Sequence, residues 1–468
     1  MSKDEKNSYQ LIRSVPVEED YDLLVAGGGP AGSAAAICAA RLGAKVLLVE
    51  ATGCLGGMGT SGLVCAWNPM ADGEKMLVGG FMRELVETQY ERGLLRPGID
   101  PNTWRKNFCA WTPFNPEGLK AILDEKAVES GVEVRFFTKV IDVNVDSMTR
   151  NVNGAIISNV EGYSYIKAKA FIDCTGDAVL SALCGVEYHE AGRDTENIMA
   201  STLASLYSGF KSEEPRLKTQ SAEVVELIEK EYKEGNFTQC DRHIPGIGAI
   251  GKHSGCLNGG HIFNMNALKV GELSGGMMLG RRIVREYERF LKKYSPDCKD
   301  MELISTGSVM GVRESRNIVG EYVMSIDDHK NRRKFPDQIA VYTNFVDIHP
   351  YDCSEEEFNR FKSEHSGPGW MEPGESFGIP YGVLVPRGWR NLWVAGRCAS
   401  SDVQVQGAIR VMPACSMMGQ AAGTAAVQSI NTGQPSCDLD VSQLVDTLRK
   451  NNAYLPQEET FQTMTRSY

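Results

Sequence analysis

Short apolar runs alternate along this chain with stretches of small or amphipathic residues, the order in which buried strands and covering helices follow one another. Tyr21-Asp22-Leu23-Leu24-Val25-Ala26 has the length and near-continuous hydrophobicity of a parallel strand covered on both faces. Residues 33–42, rich in alanine, predict a helix with small faces, and Lys45-Val46-Leu47-Leu48-Val49 predicts a second buried strand. An amphipathic helix is expected from Asn115 to about Ser130, then a strand over 132–137 that ends at Thr138-Lys139-Val140. Strand patterns at 141–145, 154–160 and 163–172 predict a three-stranded meander. A helix is expected near 77–89 within an insertion at 62–114, and charge-rich helices with solvated faces at 212–235 and 283–294. A short helix at 441–449 precedes a polar tail.

The junction between the first strand and first helix carries Gly27-Gly28-Gly29-Pro30-Ala31-Gly32, a G-x-G-x-x-G pattern in the strand–turn–helix context that gives it meaning. Gly27 permits a tight turn, Gly29 lets backbone approach a pyrophosphate, and Gly32 lets the helix pack on the strands. The helix start offers free N–H groups and a partial positive charge to phosphate. Glu50 closes the second strand, where a carboxylate accepts hydrogen bonds from ribose hydroxyls. A second match, Gly246-Ile247-Gly248-Ala249-Ile250-Gly251, lacks both a preceding buried strand and a following helix, so it is expected to be a flexible glycine loop.

Beyond Glu50 comes a second glycine-rich stretch, Cys54-Leu55-Gly56-Gly57-Met58-Gly59-Thr60-Ser61-Gly62. With Asp173-Cys174-Thr175-Gly176-Asp177, Met310-Gly311-Val312-Arg313-Glu314-Ser315-Arg316, Asn391-Leu392-Trp393-Val394-Ala395-Gly396-Arg397 and Gln406-Gly407-Ala408-Ile409-Arg410-Val411-Met412-Pro413, it resembles the FAD-binding half of the glutathione-reductase superfamily. More narrowly, the chain is similar to FAD-dependent oxidoreductases distantly related to fumarate reductase and succinate dehydrogenase flavoproteins. The resemblance implies an α/β fold: a Rossmann-like FAD-binding domain, parallel sheet plus three-stranded meander, with an inserted α+β substrate domain. It implies a discontinuous FAD domain at 20–180 and 375–435, a substrate domain at 181–374, and a C-terminal helix and tail at 436–468. The implied cofactor contacts are Gly27, Gly29, Pro30, Ala31, Gly32, Glu50, Ala51, Gly56, Gly57, Met58, Thr60, Val140, Thr175, Gly176, Asp177, Gly396, Arg397, Gly407, Val411 and Met412. Val140 is expected to meet the adenine through its backbone. Pro413 suits a first helical position, whose free N–H groups face the flavin. No histidine follows Gly56-Gly57, so the FAD is expected to be non-covalent.

The net charge of −11 across 468 residues argues against a nucleic-acid binder, and no apolar run is long enough for a membrane span. Thirteen scattered cysteines read as reduced thiols, and the polar start lacks a secretory pattern, so a cytoplasmic setting is expected. No Cys-x-x-Cys pair exists for a redox dithiol, which leaves the electron acceptor open. The expected reaction is oxidation or reduction of a small polar metabolite by hydride exchange with flavin N5. A structural FAD, or one serving isomerase, hydratase or RNA-modifying chemistry, is the alternative. The catalytic candidates are His349, with Asp347 two residues away to orient it, and the cations Arg313 and Arg410 for a substrate carboxylate. Against these stand a structural histidine held by Asp347 and structural arginine ion pairs, the latter more so at Arg316. His243, His253 and His261 fall in the glycine-rich region, at spacings that match no familiar metal motif, so no metal is expected.

Overall fold

In the computed structural model, which describes residues 9, 11–104, 111–209, 221–244, 247–364 and 371–456, the apolar runs become one seven-stranded sheet. Its members are β1 (Val17–Ala26), β2 (Val46–Val49), β3 (Glu133–Arg135), β4 (Lys139–Asp146), β5 (Asn151–Asn159), β6 (Gly162–Asp173) and β7 (Leu392–Val394). They run in the order β3-β2-β1-β6-β5-β4, with β7 also paired to β6. Strands β3, β2, β1, β6 and β7 are parallel to their neighbours, in registers such as Leu23 with Val46 and Leu24 with Phe171. The long β6 joins the same sheet to the antiparallel meander, because its residues 162–166 pair with β5 while 165–173 pair with β1 and 171–173 with β7.

Alternation explains why β1 reads as almost continuously apolar. Leu23 and Val25 enter one core, Tyr21, Leu24 and Ala26 the other. The first core is covered by α1 (Pro30–Arg41), α2 (Pro116–Glu129) and α3 (Met412–Thr432). Helices α1 and α3 pack backbone to backbone. A methyl at Gly419 would lie 2.0 Å from the Ala31 carbonyl oxygen, and one at Gly423 2.3 Å from that of Ala35. Two small residues four apart on each helix therefore set this approach. The 62–114 helix forms at Gly80–Glu91, and the C-terminal one at Val441–Lys450 buries Leu444, Val445 and Leu448 against the main core.

A second unit holds the antiparallel strands Ser205–Ser208, Ile247–Ala249, Ser254–Leu257 and Glu302–Thr306, with helices Ala222–Lys233 and Val270–Tyr294. Its hydrophobic core runs from Leu203 to Met310. Met324, Ile339, Tyr342 and Met371, from farther along the expected substrate segment, pack into the main core instead. The Val270–Tyr294 helix starts well before the expected 283. Gly276 and Gly280 lower its helix propensity, yet a methyl on Gly280 would lie 2.7 Å from Leu203 Cβ, so packing demands glycine there, while one on Gly276 would displace the flexible Met265 side chain.

The expected flexible glycine loop is corrected: Ile247–Ala249 is a strand paired with Ser254–Leu257, and no helix follows it. Cross-strand pairing, invisible in a single short segment, overrides the glycine content. Pro245 and Gly246, and residues 212–220 of the charge-rich pattern, lie outside the described residues. Among the described residues no helix is long and apolar enough to cross a membrane.

Candidate functional site

The turn after β1 is built from what glycine alone allows. Gly27 sits at φ +94°, where a methyl would lie 2.5 Å from the Cys174 carbonyl oxygen, and one on Gly32 would lie 1.7 Å from that of Gly27. Gly29 differs: it is the N-cap of α1, carries no side-chain cap, and a methyl on it would meet nothing within 4 Å. The open N-terminus of α1 therefore faces free space with its N–H groups. Glu50, buried at the end of β2, accepts from Gly28 N at 2.6 Å, Thr52 N at 2.7 Å and Thr52 Oγ1 at 2.8 Å. Phe137 N donates to Thr52 O and Thr138 N to Glu50 O, which brings the start of β4, with Val140, beside this carboxylate. Val140 itself pairs across the meander with Ile157, and Ala51 is exposed beside Glu50.

The second glycine stretch bridges two helix starts. Gly56 N donates to Gly28 O, and a methyl on Gly57 would lie 2.8 Å from Gly29 Cα. At its other end, Gly59 faces Met412 Sδ at the start of α3, with Met58 half-buried between and Thr60 Oγ1 closing the turn onto Leu55 O. Helix α3 likewise has no side-chain cap at Val411 and a proline in its first turn. Thr175 and Gly176 follow β6. There Asp177 accepts from Arg397 Nη2 at 2.7 Å and from Ser315 Oγ at 2.7 Å, joining three segments remote in sequence. Gly396 precedes this arginine at φ +98°.

The α3 start leads directly to a buried cluster of charge. A methyl on Gly407 would touch the Asp347 carbonyl oxygen at 3.0 Å. Arg410 Nη2 donates to the carbonyl and carboxylate oxygens of Asp347, both at 2.9 Å, while the buried Arg410 Nε has no partner. Asp347 also lies 3.3 Å from His349 Nε2. His349 Nδ1 is 2.8 Å from His261 Nε2, and His261 Nδ1 is 3.2 Å from the buried Asp241. His243 stacks on His261 at 4.9 Å between ring centres and meets His349 edge-on at 5.4 Å; its buried Nδ1 has no partner. One ring nitrogen from each of the three histidines lies within 4.8 Å of the other two.

Electrostatics follow from the burial. Burial alone would raise the Asp241 carboxyl, but His261, His243 and the His261 backbone N–H together hold it down at about 2. Burial pushes His243 down to about 3 and His349 well below its usual value, with Arg313 adding to the latter. Arg313 is itself brought down to about 9 by burial and by the neighbouring Arg410. Its Nη1 donates to Ala200 O at 2.7 Å and Thr202 Oγ1 at 2.9 Å, and Thr202 pairs directly with His261 across two short strands.

The structure thus brings His349, Arg313 and Arg410 together beside the α3 start. It separates His253, exposed, from His243 and His261. Arg316 is engaged elsewhere, 3.7 Å from Glu190 and over the Tyr188 ring. Sequence reasoning missed Asp241 as the partner of His261. The signal was present: Asp241-Arg242-His243 repeats the Asp-x-His spacing of Asp347-Ile348-His349.

Residues 22–448 match the protein family described as FAD dependent oxidoreductase. The chain is 30% identical over 168 residues to the mitochondrial dihydrolipoyl dehydrogenase of Schizosaccharomyces pombe, 34% of this chain and 29% of that one. It is 25% identical over 211 residues to a fumarate reductase (cytochrome) of Shewanella frigidimarina, 38% of this chain and 36% of that one. The matched parts thus span about a third of the length of these curated relatives. A solved structure described as geranylgeranyl bacteriochlorophyll reductase-like, from Thermoplasma acidophilum, is 14% identical with a TM-score of 0.48 and covers 93% of this chain and 83% of its own.

Proposed function

The chain belongs to the family of FAD dependent oxidoreductases and its cofactor is FAD; on that premise we propose that it oxidises or reduces a small polar metabolite by hydride exchange with flavin N5. Bound FAD supplies a two-electron carrier. Gly27, Gly29, Pro30, Ala31 and Gly32 give its pyrophosphate a turn without side chains and an uncapped helix start, and Glu50 with Ala51 takes the ribose. Val140 lies at the adenine end. Gly56, Gly57, Met58 and Thr60 carry the cofactor toward the α3 start, where Val411 and Met412 present backbone N–H groups, and Gly407, inside the preceding helix Val403–Ile409, lets that helix lie close against Asp347. Thr175, Gly176, Asp177, Gly396 and Arg397 flank its middle. The proposed FAD unit is 20–180 with 375–435, followed by the C-terminal helix and tail at 436–468; the substrate unit proposed at 181–374 is centred on the Leu203–Met310 core, because Met324, Ile339, Tyr342 and Met371 pack into the main core.

The substrate lies between the two units. Arg313 and Arg410 hold its negative charge, and the histidine cluster containing His349 takes the proton that leaves the substrate O–H or N–H when hydride leaves carbon. One observation carries this reading: the buried Arg313, the partly buried Arg410 and three buried histidines converge beside the start of α3, and Arg410 Nε is left without a partner. Fumarate, for which one matched relative is named, is a small dicarboxylate of the kind two arginines suit.

Anaerobic mixing of the yellow holoprotein with small hydroxy acids, amino acids and enoates, before and after dithionite reduction, tests it. Substrate-driven bleaching or recovery near about 450 nm at turnover rates supports the proposal. A flavin that no substrate reduces or reoxidises supports a structural or non-redox FAD. Release of all yellow colour on acid precipitation supports non-covalent binding.

A further inference from the structure

We infer that His243, His261 and His349 form a mononuclear site for a divalent first-row transition metal ion. The argument starts from proton positions. Asp241 accepts from His261 Nδ1, and Asp347, paired with Arg410, faces His349 Nε2. A carboxylate facing an outer ring nitrogen favours the tautomer with its hydrogen there, which turns the other ring nitrogen inward as a donor of its lone pair. The inner nitrogens, His261 Nε2 and His349 Nδ1, then point lone pairs at each other across 2.8 Å in the neutral rings. That arrangement needs a cation between them.

A shared proton would serve those two nitrogens but leave the third ring unexplained. His243 is buried, stacks on His261, and keeps its Nδ1 without a partner. Three imidazole nitrogens within 4.8 Å, two of them backed by carboxylates on the far ring nitrogen, form the donor set and outer support of a three-histidine metal centre. Imidazole selects borderline divalent ions over Mg²⁺ or Ca²⁺. Nitrogens about 2.0–2.1 Å from one ion stand roughly 3 Å apart, so the His261–His349 pair already has nearly the required spacing and His243 needs only to swing inward. Asp241 and Asp347 offset the charge of the ion and of the adjacent Arg313. Three protein ligands would leave the ion a position for water or a substrate oxygen, which would give the cluster its hold on the departing proton. The site's purpose rests on the redox reading above; its existence does not.

The test uses the FAD-loaded full chain, stripped with chelator and titrated with Zn²⁺ against a competing indicator, with metal content by mass spectrometry and ligand number by X-ray absorption. One equivalent is expected to bind at micromolar or tighter affinity, with three nitrogen neighbours at about 2.0–2.1 Å. His261→Ala and His243→Asn should each weaken binding at least 100-fold, and Asp241→Asn roughly 10–100-fold. His253→Ala, outside the cluster, should leave it unchanged. The flavin-to-protein ratio checks folding in every variant. Should His261→Ala lose its flavin, wild-type stoichiometry and His243→Asn still decide the matter. Less than about one-tenth of an equivalent bound at tens of micromolar Zn²⁺ (far above the affinity a structural or catalytic site shows) overturns the inference in favour of a shared proton. Unchanged affinity in His243→Asn overturns it as well. Because the readout is metal rather than bleaching, failure here leaves the redox proposal standing, and the reverse.

Discussion

The two ends of the candidate site are made from different materials. At the glycine end the material is backbone: methyls on Gly27 and Gly32 would strike main-chain oxygens, and Gly57 lies against Gly29 Cα. At the histidine end the working groups are side chains: the buried Asp241, His243, His261, Arg313 and His349, with the partly buried Asp347 and Arg410. The contrast teaches how each end fails. A backbone cradle tolerates almost any change of charge nearby but not one added methyl at its packed positions. A side-chain cluster tolerates local shifts but not the loss of one charged member. Alanine substitutions at four positions sharpen this comparison.

The largest effect is expected from Gly32→Ala. Its methyl would lie 1.7 Å from the Gly27 carbonyl oxygen, a contact with backbone on both sides that no rotamer relieves. Overpacking of this kind costs about 3 kcal/mol or more, a large share of the roughly 5–15 kcal/mol that keeps a domain folded. The purified protein should be colourless, with a lowered melting temperature by differential scanning calorimetry. A yellow, normally stable variant would show that the α1 start is not packed as described.

Arg410→Ala comes second and attacks the other end. The variant should keep a full complement of FAD, because the guanidinium bonds to Asp347 rather than to the glycine turn. Its kcat/KM on an anionic substrate should fall roughly 100-fold or more, about 3 kcal/mol of lost binding to the reacting state. Steady-state kinetics with flavin occupancy measured on the same sample checks this. Loss of FAD without a specific kinetic defect would place Arg410 in the cofactor cradle and blur the contrast.

The third change, Gly29→Ala, returns to the cradle at its one open position. With φ −67° and no atom within 4 Å of the added methyl, the apoprotein should fold with stability altered by less than about 1 kcal/mol, the cost of alanine at an N-cap. FAD affinity should nevertheless drop roughly 10-fold or more, since the methyl occupies the space through which phosphate approaches. Flavin fluorescence titration of the apoprotein measures it. Equal affinity in both proteins would mean that the phosphates lie elsewhere.

This division also explains what was legible in the sequence. The β1–α1–β2 unit could be read because each residue acts on its immediate neighbours: Gly27 on the turn, Gly32 on that turn, Glu50 at the end of its strand. The meander was readable from three alternating runs, though not that β6 joins it to the parallel sheet in one piece. Asp347 beside His349 was readable because it is local. The partnership of His349 with His261, 88 positions earlier, was not, since the short pairing of Thr202 with His261 and the contacts of His261 with Asp241 set where that ring lies. Grouping His253 with His243 and His261 by proximity in sequence failed for the same reason. His253 sits at the exposed end of a hairpin, while its neighbours turn inward on Asp241.

The smallest expected effect is the one that separates motif from site most cleanly. Gly248 occupies the third position of a second G-x-G-x-x-G pattern, the place Gly29 occupies in the first. It lies in a strand paired with Cys256, its face is exposed, and a methyl there would meet nothing within 4 Å. In local space the two glycines are alike, so a purely steric view predicts similar tolerance. They differ in what surrounds them: Gly29 caps a helix whose N–H groups need an anion, while Gly248 has its backbone in a ladder that needs nothing further. Gly248→Ala should therefore leave FAD affinity unchanged and raise stability slightly, by about 0.5 kcal/mol, because alanine loses less backbone entropy than glycine in a strand. Chemical denaturation and the same flavin titration measure both. A loss of FAD binding comparable with that of Gly29→Ala would mean that this strand reaches the cofactor, and that the pattern of glycines alone, without a helix behind it, can make a nucleotide contact.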